Sequence, residues 1–90
     1  MSACVQITVK GRVQGVYFRA YTQKQAIKLN LNGFVRNLPN GNVEIVACGD
    51  ASALQSLVSW CHKGPLLAKV NEVIVTESAE IEVFAGFEIR

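Results

Sequence analysis

The apolar residues of this 90-residue chain change period again and again, and that succession restricts the fold more than any other feature. Val5, Ile7 and Val9 alternate with Gln6, Thr8 and Lys10, the period of a half-buried strand. After Gly15 the period lengthens to about Leu31, with Phe18, Thr22, Ala26 and Leu29 on one helical face, and Asn32-Gly33 can end that helix. "FVRNL", the tight turn "PNG" and "NVEIVAC" then form a hairpin. Asn40-Gly41 can take the positive φ such a turn needs, and Val43, Ile45 and Ala47 make its apolar side. "GDASALQSLVSWCHKG" is a second helix. Ser52 with Gln55, or Asp50, caps its start; Leu54, Leu57, Val58 and Cys61 form its apolar face; Gly64-Pro65 stops it. "VNEVIVTE" is a further strand, and "FAGFEIR" closes the chain with Phe87 and Ile89 alternating inward.

The order strand–helix–strand–strand–helix–strand predicts an α+β fold, the ferredoxin-like βαββαβ sandwich: an antiparallel sheet with two helices on one face and the other face open. Ninety residues make one domain, 1–90, with a modest core. The first and second strands run parallel in this topology, with the third between them. Their C-terminal ends therefore share one sheet edge. The loop 11–19, the first helix start, and Arg36 and Asn37 should meet there, where open sheets tend to hold ligands.

That edge is also where the charge is uneven. Residues 1–43 carry six Lys or Arg and no Asp or Glu; residues 44–90 carry three bases and seven acids. A positive half in a chain of net charge +2 points to a local anion site rather than to a wrapped polyanion. Within "GRVQGVYFR" the backbone turns through Gly11 and Gly15 and feeds a helix start, with its unpaired N–H groups and positive dipole end. Arg19 adds a planar fork of donors suited to phosphate oxygens. The motif is neither a Walker loop nor G-x-G-x-x-G. Read from residues alone, it is either an oxyanion cradle or a glycine-bearing turn with a surface arginine.

"GRVQGVYFR", followed by "GFVRNLPNGNVE" and ending in "FAGFEIR", resembles the acylphosphatases over essentially the whole chain. The resemblance implies hydrolysis of the carboxyl–phosphate anhydride of acyl phosphates, with no metal and no cofactor. It implies that Arg19 and the loop amides of Gly15, Val16, Tyr17 and Phe18 bind the phosphate and that Asn37 is the second catalytic residue. Phe34 stands where many relatives carry tryptophan, a change expected to alter packing beside the site. The inventory suits the chemistry. A carboxylate leaving group has a conjugate-acid pKa of about 4 and departs without a proton, whereas a phosphate ester expels a far more basic alkoxide and benefits from a general acid. The first 43 residues hold no Asp, Glu or His to be one.

His62, the only histidine, adjoins Cys61 on a helix, where neighbours diverge; an exposed position near the helix C-terminus fits it better than a catalytic Cys–His pair. Cys4 and Cys48 fall at facing ends of the first and third strands, near enough to bridge, although two reduced thiols are the default for a cytoplasmic chain. Cys61 reads as core, and Trp60, Phe84 and Phe87 as packing residues. The rival function is a non-enzymatic phosphate- or RNA-binding module of the same fold. RNA readers of this shape stack bases on sheet aromatics, but Gln6, Thr8, Lys10, Glu44, Val46 and Cys48 on the open face include none. No signal peptide or membrane-length apolar run is visible. The expectation is a cytoplasmic monomer acting on a small-molecule acyl phosphate, with inorganic phosphate as product or inhibitor and no nucleic-acid or membrane partner.

Overall fold

A computed structural model describes residues 2–78 and 84–90. Strand β1 (Ser2–Arg12) leads to helix α1 (Phe18–Lys28), strands β2 (Asn32–Asn37) and β3 (Val43–Asp50), helix α2 (Ala51–Lys63), and strands β4 (Lys69–Glu77) and β5 (Phe87–Ile89). The sheet order is β4-β1-β3-β2-β5. Neighbours are antiparallel except for β5, which pairs parallel to β2. The sheet is therefore mixed: β5 follows β4 in sequence but pairs at the opposite edge of the sheet, parallel to β2.

Side-chain alternation divides the sheet into two faces. Ile7, Val9, Val35, Val43, Ile45 and Ala47 face the helices and are fully buried. Phe18 and Ala26 of α1, and Leu54, Leu57 and Cys61 of α2, complete this core. Burying such side chains gains about 1.5–3 kcal/mol each and outweighs local propensity. Phe18 also meets Trp60 at 5.3 Å between ring centroids, which pins the start of α1 to α2. Its burial pushes the Cys61 thiol pKa up to about 12, so that thiol stays protonated in the core.

The helix ends differ from expectation at one place. Asn30 takes the left-handed conformation (φ 59°) and ends α1, so Asn32 and Gly33 already belong to β2. Gly33 is there for space: a Cβ at this position would collide with the Val46 carbonyl oxygen. At α2, Asp50 rather than Ser52 is the N-cap, accepting from the Ser52 amide. The Ser52 hydroxyl and amide together hold the Asp50 pKa below its ordinary value. Its contribution is present above the unfolded carboxyl pKa and fades as pH falls through the lowered folded value. Gly64, with positive φ, ends α2 as expected.

The open face is less bare than the alternation of β1 and β3 suggests. Glu44 is 9% exposed and takes hydrogen bonds from Arg36 Nε and Gln6 Nε2, both at 2.6 Å. Phe34 packs on this face against the Phe84 ring at 5.9 Å, with the Arg90 guanidinium 4.3 Å from the Phe34 centroid. The expectation that Phe34 shapes packing beside the anion loop is thus corrected: it lies on the side of the sheet away from the helices.

At the far end of β1 from that loop, Cys4 stands directly opposite Cys48 with a Cα–Cα distance of 4.0 Å, and the two are joined by a disulfide. A link across 44 residues of sequence stabilises by about 4 kcal/mol in the chain-entropy account. Thiol counting under denaturing conditions should find one free thiol, Cys61, before reduction and three after; three before reduction would show the bridge absent in the isolated protein.

Candidate anion and water site

Strand β1 ends in an irregular turn. A shift in the β1–β4 register between Lys10 and Gly11 bends the strand, and Gly11, with φ 131°, passes so close to Lys69 that a Cβ would meet its carbonyl. Three residues beyond the strand end, the chain alternates hand: Gly15 has φ 75° and Tyr17 φ 64°. Successive amides in such a turn point into one concavity, a nest for an anion. Left-handed backbone at a tyrosine is costly and persists only where its surroundings enforce it. Here Phe18 on one side is held in the core, and Val16 on the other buries its side chain.

Helix α1 begins at once. The first helical bond runs from Tyr21 N to Tyr17 O, so the amides of Phe18, Arg19 and Ala20 precede the hydrogen-bonded ladder. No side chain caps them, and the first turn holds no acid. They give the cradle its partial positive charge.

Asn37 reaches the same place through strand parity. It shares the helix-side face with Val35, whereas Arg36 turns to the open face and pairs with Glu44. Arg36 was expected at this edge with Asn37; its backbone is there, but its side chain faces away. The resulting cavity has a volume of about 340 Å³ and is lined by Val13, Gly15, Tyr17, Phe18, Arg19, Ala20, Asn37 and Ile89. Of the residues predicted from sequence, Gly15, Tyr17, Phe18, Arg19 and Asn37 come together. The Val16 side chain does not border the cavity. No aspartate, glutamate or histidine lines it.

Two features give the cavity its chemistry. The Arg19 guanidinium is partly exposed and makes one long contact, from Nη1 to the Arg90 main-chain oxygen at 3.5 Å. The Asn37 carboxamide oxygen is buried and finds no donor among the described groups. Such an acceptor costs about 1–3 kcal/mol unless a donor reaches it, so it marks a place for a water or a ligand N–H or O–H.

Sequence reasoning missed two contributors. Alternation places Ile89 inward, but it is 42% exposed and forms a wall of the cavity. Gln14 reaches across to the β2–β3 turn and donates through Nε2 to the carbonyls of Leu38 (2.8 Å) and Asn42 (2.9 Å). It ties the anion loop to the turn directly after Asn37. Nothing in its local spacing marks it.

The acylphosphatase family model matches residues 5–89. The chain belongs to the acylphosphatase family. It is 46% identical to an acylphosphatase of Nitrosococcus oceani over 90 residues, covering all of both chains. The acylphosphatase crystal structure from Bacillus subtilis superposes with a TM-score of 0.93 at 43% identity, covering 100% of this chain and 99% of that one. The structure of an acylphosphatase from Coxiella burnetii gives the same TM-score at 40% identity, over 99% and 93%. The family selects acyl-phosphate hydrolysis over the phosphate- or RNA-binding alternative. No helix among the described residues is long and apolar enough to cross a membrane.

Gln14→Ala should leave the fold intact yet lower kcat/KM by about 10–100-fold, because an ångström of misplacement between cradle and Asn37 is enough. Activity measured beside the thermal midpoint checks this: a normal midpoint with normal activity would mean the tether does not set the geometry.

Proposed function

We propose that this acylphosphatase holds the phosphoryl group of its substrate with Arg19 and the amides of the Gly15–Arg19 turn, and aims the attacking water with Asn37. The observation that carries this reading is the buried, unpartnered carboxamide oxygen of Asn37 in the same cavity as a guanidinium and an uncapped helix start.

The phosphoryl oxygens lie in the nest, where amides and the Arg19 fork meet charge that spreads over them in a loose transition state. A water donates one hydrogen bond to Asn37 Oδ1, which fixes its lone pair on phosphorus. Asparagine takes no proton at neutral pH, so its role is orientation. The water oxygen bonds to phosphorus as the bond from phosphorus to the acyl oxygen breaks. The electron pair leaves with the carboxylate, and the second water proton ends on the phosphate, giving RCOO⁻ and H₂PO₄⁻ from the dianionic acyl phosphate and water. The leaving carboxylate is weakly basic and needs no general acid. A carboxylate in this cavity would repel the substrate. The substrate is a small-molecule acyl phosphate, and the enzyme works as a cytoplasmic monomer without a metal ion.

A model acyl phosphate should be hydrolysed in the presence of chelator, while an aryl phosphate ester is not; cleavage of the ester, or inhibition by chelator, would overturn the mechanism. Asn37→Ala should lower kcat by about 10²–10³-fold with little change in KM, whereas Arg19→Ala should damage both phosphate inhibition and turnover. Full turnover in Asn37→Ala would remove the water-aiming role.

A further inference from the structure

A second hollow, of about 180 Å³, adjoins the anion cavity and is lined by Val16, Tyr17, Tyr21, Pro65, Leu66 and Leu67. No charged residue is among them. Leu66 is 97% exposed, Tyr17 72%, Leu67 63% and Tyr21 46%. Large apolar side chains gathered in water on a small molecule mark a place where something apolar binds.

What binds there follows from the connection between the two hollows. Tyr17 borders both. Its left-handed backbone forms part of the nest while its ring stands outside it. An acyl phosphate has the same two-part shape: a dianion for the nest and a carbon chain one oxygen away. In-line displacement sends the acyl group away from the attacking water. Asn37 and Ile89 border the anion cavity but not the apolar hollow, so the water and the apolar wall meet the phosphoryl group on different residues.

We propose that the Tyr17–Tyr21–Leu66–Leu67 hollow is an acyl subsite that selects acyl phosphates with a longer apolar chain over those with a small or anionic one. This rests on the hydrolytic reading of the adjacent cavity. The subsite is built from the end of the anion loop, the first turns of α1 and the segment after α2. The Gly64-Pro65 stop turns the chain so that Leu66 and Leu67 project beside Tyr17 and Tyr21.

Straight-chain acyl phosphates release carboxylates of nearly equal basicity, so kcat/KM along the series acetyl, butanoyl, hexanoyl reads the subsite and not the bond broken. For the intact protein it should rise by about ten-fold from acetyl to hexanoyl phosphate, mainly through KM. In the double variant Leu66→Ser with Leu67→Ser the series should flatten to within about two-fold, with acetyl phosphate hydrolysed as before. Both positions are exposed, and circular dichroism confirms that the variant folds. Hydrolysis with a flat series in the intact protein, an unchanged slope in the variant, or preference for succinyl over hexanoyl phosphate would overturn the subsite alone. Failure to hydrolyse any member would overturn the hydrolytic reading beneath it. A dimer at assay concentration that the double variant abolishes would also overturn the subsite, because a second copy would then occupy the patch.

Discussion

The whole arrangement depends on a strained turn whose amides find no acceptor among the described residues. Gly15 and Tyr17 are both left-handed, an alternation that favours turning successive N–H groups toward one side. A helix starting immediately afterwards adds three further amides and its dipole. The strain is offset elsewhere, by Phe18 and Val16 in the core and by Phe18 against Trp60. The core therefore holds this turn in shape as well as holding the fold together.

Strand pairing supplies the second half of the site. Because β3 lies between β1 and β2, the two parallel strands end at the same edge, and the loop after one comes to face the last residue of the other. Alternation then separates Asn37 from Arg36, sending the carboxamide to the helix side and the guanidinium to Glu44 on the other face. That separation matters electrostatically. The buried acid nearest in sequence to the site, Glu44, pairs with its own arginine on the opposite face of the sheet, where its charge is offset.

Much of this was legible in the sequence, for reasons that differ by residue. Alternation in β1 and β3 and the helical faces of α1 and α2 are signals of burial, and burial decides those elements. Arg19 and Asn37 were legible through a motif. The separation of Arg36 from Asn37 was legible in principle, since it needs only the two-residue period of β2. Gln14 was not, because its hydrogen bonds cross 24 and 28 residues and leave no local pattern. Ile89 misled because alternation presumes a strand flanked on both sides. Strand β5 is a three-residue edge whose end runs over the cavity instead of into the core. The stop of α1 moved to Asn30 because two residues compete for the left-handed position, and Gly33 was needed for close approach to Val46.

The central claim is that the Gly15–Arg19 turn is where the phosphoryl group sits. Titration of the ¹⁵N-labelled protein with inorganic phosphate tests it most directly. Saturable shifts in the amides of Gly15 through Ala20 and in the Arg19 Nε resonance, lost in Arg19→Ala, are the predicted result. Saturable shifts centred on another part of the molecule, with this turn unmoved, would contradict the account.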